Sequence, residues 1–445
     1  MFKRILIANR GEIACRIIRA CRKMGIESVA VHSEADRESL HVKMATFSIC
    51  IGPNDSARSY LHIPSIVSAM EIANVDAIHP GYGFLSENGH FADICRGQNI
   101  AFIGPSSAAM AKMSAKADAR ELAKSCGVPI LPGSEGVILD EDDGLTIARQ
   151  IGYPVIVKAS AGGGGRGIRI ANNEAALRIA MSSARAEAEA NFGDGSLYLE
   201  KFLTSPRHVE VQVLCDEHGG VIHLGERDCT TQRRHQKLIE ESPSPVVDRA
   251  TRKAMGDAAV RLCKAAGYTN AGTIEFLFED GKFYFMEMNT RIQVEHPVTE
   301  MVTGIDLIEA QIRVAAGEPL AWRQKDIQNT GHAMEFRINA EDPERRFAPC
   351  PGTVKLFVPA ELPGVRTDSF VYSGYRITPY YDSMIAKIIV LADDRESCIA
   401  RSKQALKDTI LEGVKTTIPF HLMMLENNAF VNSEFDINFV DKLYS

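Results

Sequence analysis

The sequence lacks an excess of positive charge and any long apolar run. Its 445 residues carry a formal net charge of -7, whereas a general nucleic-acid binder needs surplus basic surface to displace counterions. No apolar run approaches the length of a membrane span, and the one near the N-terminus is too short for a signal peptide. We therefore expect no nucleic-acid partner and no membrane segment.

Closely spaced cysteines are also missing. The ten cysteines are scattered without a Cys-x-x-Cys pair, which disfavours a zinc site or a disulfide framework and indicates free thiols in a reducing, cytoplasmic compartment. The composition, 45% hydrophobic and 24% charged, is typical of a soluble globular protein. At this length we expect two or three compact units.

The N-terminal third alternates strand-like and helical segments. A helical run follows Asn9-Arg-Gly-Glu12, and Gly25 stands where it should end. Such alternation predicts a parallel, doubly wound sheet. The first turn carries Gly11 without a Gly-x-Gly-x-x-Gly fingerprint, so dinucleotide binding is not favoured. The segment His79–Asn88 is typical both of a ligand-facing loop and of a structural turn. Met110-Ala-Lys-Met113 resembles a biotin-attachment site, but its alanine-rich context favours a plain helix.

A glycine-rich stretch, Ala159-Ser-Ala-Gly-Gly-Gly-Gly-Arg-Gly167, follows a strand that ends at Lys158. Glycine leaves backbone N–H groups able to wrap around phosphate oxygens, and the lysine supplies positive charge. A flexible hairpin is the alternative, but the order of strand, lysine and glycines favours phosphate binding. The spacing is not that of a P-loop. A helix and a strand up to Glu200 would complete a small mobile lid.

A basic segment, Glu226–Lys237, follows two alternating strands. A solvated loop would explain its charges, but Gln232, His235 and Lys237 could equally line an anion site.

Two carboxylates flank a predicted hairpin. Asp280-Gly281 between two strand-like runs predicts a tight turn, and Glu275 and Glu287 are hard oxygen ligands suited to Mg²⁺. A two-residue turn would put them on opposite faces, whereas an odd loop or a bulge would put them on one face. A shared metal therefore predicts an odd loop or an equivalent bulge.

Polar residues alternate with mostly apolar ones along residues 283–296. In a strand this places five polar side chains on one face, although a wetted strand is the simpler interpretation. The five are Glu287, Asn289, Arg291, Gln293 and Glu295. Together with the glycine loop they indicate an ATP-dependent ligation, in which Arg291 and Lys237 hold a small anion and Glu295 removes its proton.

The long motifs resemble biotin carboxylase, a family of the ATP-grasp superfamily. The resemblance rests on 9–12, 79–84, 158–167, 226–237 and 287–300 and runs over nearly the whole chain. It implies an α/β and α+β ATP-grasp fold: an N-terminal doubly wound domain (1–114), a linker and mobile lid (115–203) and a larger C-terminal catalytic domain (204–445). It also implies that ATP phosphorylates bicarbonate to carboxyphosphate, which releases CO2 to a biotin nitrogen.

The resemblance assigns a role to each matching residue. The nucleotide would be held by Lys116, Lys158, Gly163, Gly164, Gly165, Glu200, Lys201, Leu203, His208, Gln232, His235, Glu275 and Glu287. Mg²⁺ (or Mn²⁺) would be held by Glu275, Glu287 and Asn289. Bicarbonate would be held by Lys237, Arg291, Gln293 and Val294, with Glu295 as base. Arg337 would stabilise the biotin enolate, and Tyr82 would contact biotin.

Three positions do not take a role directly from the resemblance. Cys229, near Lys237, is a candidate base, although a neutral thiol is favoured. Ala161 stands where some members have glycine, and Asn438 stands where many have histidine, so no nucleotide role is given to Asn438.

The implied partners are a biotin carboxyl carrier protein and carboxyltransferase subunits, with the chain itself a homodimer and a separate subunit of, most simply, acetyl-CoA carboxylase. Two other interpretations remain: another ATP-grasp ligase, such as a carbamoyl-phosphate synthetase relative, and a non-catalytic nucleotide-sensing subunit.

Overall fold

The chain forms two compact units in the structure, a computed structural model that describes residues 1–138, 140–159, 169–192 and 195–444. The larger unit comprises Met1–Val128 and Arg207–Ser445, and the smaller comprises Pro129–Pro206. The three-part division expected from the sequence stays a prediction.

The larger unit begins with alternating strands and helices. They are β1 (Arg4–Ile7), α1 (Gly11–Lys23), β2 (Glu27–Ser33), α2 (Leu40–Met44), β3 (Phe47–Gly52), α3 (Ile63–Ala73), β4 (Ala77–His79), α4 (Gly89–Gly97), β5 (Ala101–Phe102), α5 (Ser107–Ser114) and α6 (Lys116–Ser125). The strands form a five-stranded sheet in the order β3-β2-β1-β4-β5, and every pairing in it is parallel. The predicted parallel sheet is confirmed.

Local signals in this region are mostly borne out. Gly25 follows the end of α1 with φ of 70°, a left-handed conformation that glycine adopts without strain. Met110 and Met113 lie on α5 and are buried, so the plain helix predicted there is confirmed. The alanine-rich stretch nevertheless forms two helices, because Ala115 is extended between α5 and α6.

The smaller unit packs helices on a three-stranded sheet. Its elements are α7 (Glu141–Ile151), β6 (Val155–Ala159), β7 (Arg169–Ala171), α8 (Glu174–Phe192) and β8 (Leu197–Lys201). The sheet order is β7-β6-β8, and Val155, Val157 and Leu199 are buried in a core shared with the two helices. The strands and the helix predicted for this segment are confirmed.

The rest of the larger unit is dominated by an antiparallel sheet. Its elements are β9 (Arg207–Cys215), β10 (Val221–Arg233), β11 (Gln236–Ser242), α9 (Arg249–Ala266), β12 (Asn270–Glu279), β13 (Lys282–Asn289), α10 (His296–Thr303), α11 (Leu307–Ala315), β14 (His332–Asn339), β15 (Glu341–Asp342), β16 (Ala348–Pro349), β17 (Gly352–Thr353), β18 (Leu356–Val358), β19 (Val365–Ser369), β20 (Arg376–Ile377), β21 (Met384–Ala392), α12 (Arg395–Asp408), β22 (Ile410–Glu412), α13 (Ile418–Glu426), α14 (Asn428–Val431) and α15 (Phe439–Leu443). The eight-stranded order is β13-β12-β9-β10-β11-β14-β21-β19.

The strand β14 shows how this sheet separates apolar from charged residues. Met334, Phe336 and Ile338 are buried in an apolar cluster with residues of β21 and α12. Because successive side chains of a strand point to opposite faces, Glu335 and Arg337 lie on the other face. The sheet therefore carries a buried charged layer beside its apolar core.

The structure bears on two expectations from the sequence, one about the cysteines and one about membrane-spanning helices. All ten cysteines are free thiols, as their spacing predicted. Within the described ranges, each helix is too short or too polar to cross a bilayer.

Candidate active site

A cavity of about 1150 Å³ opens in the larger unit. Its wall combines loops after β1 and β4 with side chains from the eight-stranded sheet. The predicted site residues that line it are Tyr82, His208, Gln232, His235, Lys237, Glu275, Glu287, Asn289, Arg291, Gln293, Val294, Glu295 and Arg337. The structure thus brings together residues drawn from segments far apart in the sequence.

The other predicted nucleotide residues lie elsewhere. Lys158, Glu200, Lys201 and Leu203 belong to the smaller unit, where the Lys158 ammonium donates to the Glu200 carboxylate and Lys201 donates to the carbonyl of Tyr153 at 2.8 Å. Lys116 is the first residue of α6. Three glycines, Gly163, Gly164 and Gly165, lie outside the described residues, as do Arg166 and Ala161.

The hairpin between β12 and β13 contains the predicted bulge. Asp280 and Gly281 have φ of 50° and 74°, which is the geometry of a tight two-residue turn. That even turn alone would separate Glu275 from Glu287. The ladder shifts register by one residue at Met286, however, so Glu275 pairs directly with Glu287. The bulge is one of the two features that would let Glu275 and Glu287 share a metal, so that prediction is met.

The extended strand expected over residues 283–296 is shorter than predicted. β13 ends at Asn289, and α10 begins at His296. Arg291 and Glu295 therefore lie in the turn between them, where alternation does not fix which way a side chain points. Both side chains still line the cavity.

The chemistry of the donor set fits a hard divalent cation. Glu275 and Glu287 are cross-strand neighbours, and the carbonyl oxygen of the Asn289 side chain lies two residues further along the same strand. Burial raises the pKa of Glu275, but Lys237 and His208 hold it well below its usual range, so this carboxylate is ionised. Paired carboxylate and amide oxygens are ligands that Mg²⁺ prefers.

A second acidic cluster is already neutralised. Donor atoms of His208, Glu210 and Glu275 lie within 4.8 Å of one another, a spacing compatible with a metal. The Lys237 ammonium, however, donates to Glu210 at 2.6 Å and to Glu275 at 2.9 Å. We interpret Glu210 as an ion-pair partner of Lys237, whereas Glu275 belongs both to this network and to the metal ligands expected from the sequence.

Lys237 is the electrostatic centre of the cavity. Its third hydrogen bond goes to Glu295 at 2.6 Å. Burial disfavours the charged ammonium, but nearby Cys229 and the carboxylates of Glu210, Glu295 and Glu275 raise the pKa of Lys237 well above its usual value. The side chain thus keeps a permanent positive charge beside the cavity.

Glu295 is shared between two cations. Its other oxygen accepts from Arg337 at 3.0 Å. Burial raises the pKa of this carboxyl, but Lys237, Arg337 and Arg227 hold it well below the usual range. Glu295 is therefore an ionised, nearly inaccessible carboxylate that can accept a proton.

Arg291 is held in place by a residue that the sequence did not single out. Glu87 accepts from the Arg291 guanidinium at 3.1 Å and from the backbone N–H of Thr290 at 2.9 Å. Arg291 also donates to Asn289 at 2.9 Å. The segment His79–Asn88, for which the sequence left open a ligand-facing or a structural role, thus contacts the turn that carries Arg291.

The basic segment 226–237 is a hairpin, so the solvated loop is wrong. β10 continues to Arg233, the turn is made by Arg234 and His235, and β11 begins at Gln236. Glu226, Arg227 and Asp228 are buried because they are paired, whereas Arg234 and His235 at the turn are exposed. Arg227, fully buried, donates to Glu210 at 2.6 Å and to Gln293 at 2.9 Å.

Tyr82, which lines the cavity, belongs to a second network. Its hydroxyl donates to the carboxylate of Glu12. Lys387, fully buried, lies 3.2 Å from Glu12 and donates to the carbonyl oxygen of Val294 at 2.6 Å. The sequence predicted Tyr82 and Val294 but not the two groups that connect them.

The structure favours the neutral state of Cys229. Burial, followed by the charge of Glu210, raises the pKa of this thiol well above its usual value. A proton acceptor at neutral pH must be deprotonated, so Cys229 is unsuited to act as a base, as the sequence indicated.

Family models match three successive parts of the chain. The model described as "Biotin carboxylase, N-terminal domain" matches residues 1–110. The model "Carbamoyl-phosphate synthase L chain, ATP binding domain" matches 115–323, and "Biotin carboxylase C-terminal domain" matches 335–442. Together they cover most of the sequence.

Whole-chain comparisons agree with these models. "Biotin carboxylase 1" of Bacillus subtilis (strain 168) is 55% identical over 443 residues, covering 99% of this chain and 98% of the relative. A solved complex of biotin carboxylase with β,γ-ATP from Campylobacter jejuni has a TM-score of 0.91 and 51% identity, covering 99% of each chain. The biotin carboxylase domain dimer of Hydrogenobacter thermophilus 2-oxoglutarate carboxylase, solved with MgADP, ADP and bicarbonate, has a TM-score of 0.88 and 48% identity, covering 99% and 98%.

Proposed function

We propose a complete reaction for this chain from the premise that it belongs to the biotin carboxylase family and shares its ATP-grasp fold. The protein is an ATP-dependent carboxylating ligase, and its cofactors are ATP and Mg²⁺. The proposal concerns the roles of individual residues, the acceptor of the carboxyl group and the partners.

One observation supports the roles that we propose for individual residues. The Lys237 ammonium bonds to Glu275, a proposed metal ligand, and to Glu295, the proposed base, at 2.9 and 2.6 Å. The metal side and the acid–base side of the cavity are therefore adjacent and joined by one cation. Such an arrangement suits a reaction in which a bicarbonate oxygen must meet a phosphate and lose a proton in the same place.

In the proposed reaction, bicarbonate binds to Lys237, Arg291, Gln293 and the Val294 backbone, and Glu295 accepts its proton. The oxygen so exposed attacks the terminal phosphorus of ATP, so the bond to ADP breaks and carboxyphosphate forms. Mg²⁺ held by Glu275, Glu287 and Asn289 would supply charge neutralisation for the phosphates.

Carboxyphosphate then breaks into CO2 and phosphate, the released phosphate takes the proton from the biotin ureido nitrogen, and that nitrogen attacks CO2 to form carboxybiotin. Arg337 places its guanidinium beside Glu295, where it would stabilise the negative charge that develops on the biotin ureido oxygen. Tyr82, fixed by Glu12, would contact the biotin ring.

We infer that the biotin is carried by a separate biotin carboxyl carrier protein and that carboxyltransferase subunits pass the carboxyl group to acetyl-CoA, in the cytoplasm, with the chain acting as a homodimer. The similarity to "Biotin carboxylase 1" supports the carboxylation of biotin, but that name specifies no acceptor. The domain of 2-oxoglutarate carboxylase is almost as similar, so the acceptor needs a direct test.

The test measures ATP hydrolysis by the purified protein with bicarbonate, with and without free biotin. We expect ADP release to require bicarbonate and Mg²⁺ and to rise when biotin is added. Stimulation by ammonia in place of biotin would instead indicate a carbamoyl-phosphate synthetase type of ligase. ATP binding without turnover would indicate a nucleotide sensor.

The acceptor is tested by adding purified carrier and carboxyltransferase subunits. Radiolabelled bicarbonate should then appear in the product with acetyl-CoA and not with pyruvate or 2-oxoglutarate. Transfer to either keto acid in place of acetyl-CoA would overturn the choice of acceptor while leaving the biotin carboxylation intact.

A further inference from the structure

Two buried carboxylates are paired on the sheet that carries Arg337. Glu240 on β11 and Glu335 on β14 are directly paired across neighbouring antiparallel strands, so their side chains lie on the same face of the sheet. Both residues are fully buried. Arg337 is two residues beyond Glu335 on β14 and therefore points to the same face.

The pair has too few hydrogen-bond donors for two negative charges. One oxygen of Glu240 accepts from the Nε of Arg337 at 2.5 Å, and its other oxygen has no partner in the described part of the chain. Neither oxygen of Glu335 has a partner there. Two ionised carboxylates that are buried together with so few protein donors are strongly unfavourable, so one of them must stay protonated.

The nearest cations are already engaged. Lys387 stands opposite Arg337 on β21, but its ammonium donates to the Val294 carbonyl and pairs with Glu12. Arg337 divides its guanidinium between Glu240 and Glu295. Glu335 is therefore left without a bonded counter-charge.

We propose that Glu240 and Glu335 share one proton and that this acid–carboxylate pair positions Arg337 and keeps part of its positive charge available to Glu295 and to the bound substrates. The proposal rests on the proposed function for its effect on catalysis. The shared proton itself follows from the geometry. Neither residue lines the cavity, so both are positioning residues.

The surroundings of the pair favour the neutral acid. Burial raises the pKa of Glu240 to about 7, with a contribution from Glu295 and against the opposing charges of Arg337 and Lys237. Burial also raises the pKa of Glu335 well above its usual value, aided by Glu240 and Glu12 and opposed by Lys387 and Arg337.

Loss of this proton would change the charge beside the substrates. With both carboxylates ionised, Arg337 would face two negative groups below it as well as Glu295. Its field at the biotin oxygen would weaken, and the guanidinium would be drawn toward the sheet. Biotin carboxylation should therefore decline as the pH rises through the titration of the pair.

The test compares the wild-type protein with Glu335→Gln, which keeps the side-chain size and removes the charge. The difference infrared spectrum near neutral pH should show a carboxylic-acid C=O band in the wild type that is lost in the variant. The alkaline decline of kcat for biotin carboxylation should move upward by about one pH unit or more, equivalent to about tenfold in proton concentration. The KM for ATP should not change, and Glu335→Asp should restore the wild-type profile.

Three results would overturn the proposal: no acid band in the wild type, an unchanged band in Glu335→Gln, or identical pH profiles. Glu240→Gln is the second variant, should Glu335→Gln fail to fold, and it must shift or remove the band. Glu396→Gln, on the exposed start of α12, is the matched control and should change neither measurement. The infrared band does not depend on activity, so it distinguishes failure of this inference from failure of the proposed function.

Discussion

Replacing Lys237 by methionine should destabilise the larger unit strongly. The change keeps the length of the side chain but removes an ammonium bonded to Glu210, Glu275 and Glu295 at 2.6, 2.9 and 2.6 Å. Removing one partner from a buried ion pair costs about 3–5 kcal/mol, because the remaining charge is left uncompensated. The free energy of unfolding should not fall by more than about this amount, because the three carboxylates can take up protons once the ammonium is gone.

The loss of stability caused by Lys237→Met should depend on pH in a defined direction. Burial raises the pKa of Glu275 and Glu295, but Lys237 holds both well below the usual range. The stability that these pairs provide is therefore present above the unfolded carboxyl pKa of about 4.3 and disappears as the pH falls through the lower folded values. Since the pKa of Lys237 is raised, the contribution lasts on the alkaline side beyond about pH 10.4.

Urea denaturation can measure this loss through the fluorescence of Trp322, the chain's single tryptophan, which packs against a core cluster of the larger unit. The difference between wild type and Lys237→Met should stay constant from about pH 8 down to about pH 4.3 and shrink as the pH is lowered further. Lys253→Met is the matched control, because its exposed pair with Asp257 should contribute at most about 0.5 kcal/mol. Equal stability of Lys237→Met and wild type at neutral pH would refute the reasoning.

Three further outcomes are expected. Glu295→Gln and Arg291→Ala should each abolish biotin carboxylation and leave ATP binding, measured by calorimetry, largely intact, whereas loss of ATP binding in both would mean that the bicarbonate pocket is misassigned. Glu287→Gln should weaken Mg²⁺-dependent ADP binding by about tenfold or more without affecting binding measured in EDTA, and an unchanged Mg²⁺ dependence would contradict the pairing with Glu275. Cys229→Ala should keep the activity and its pH profile, because burial raises the pKa of the thiol; a loss above about tenfold in a stably folded variant would restore the thiol as a candidate base.

The sequence could predict the hairpin at Asp280-Gly281 because its turn residues act locally. It could also state that Glu275 and Glu287 need an odd loop or a bulge to share a face. The sequence could not distinguish the odd loop from the bulge, because either one puts the two carboxylates on the same face. The structure has an even turn with a bulge at Met286, a choice that depends on how β13 packs against the rest of the sheet.

Contacts between residues that are far apart in the sequence explain the larger errors of prediction. The segment 226–237 is so rich in charge that a solvated loop was a reasonable interpretation, yet Arg227 is fully buried. It is buried because Glu210, Gln212, Thr273, Gln293 and Thr299 accept its hydrogen bonds. The last three of these acceptors are 46, 66 and 72 residues away in the sequence. Glu87 and Lys387 were missed for the same reason: the residues they hold in place are far from them in sequence.

Under the proposed function, Glu295 has to meet two opposing requirements. Its pairing with Lys237 and Arg337 keeps the carboxylate ionised in a buried site, but the same pairing makes it a weak base. Bicarbonate would accept hydrogen bonds from the same cations, and this competition would raise the basicity of Glu295 when the proton has to move. The carboxylate would therefore be a stronger base with the substrate bound than without it, which couples proton removal to the presence of bicarbonate and limits reaction of ATP in its absence.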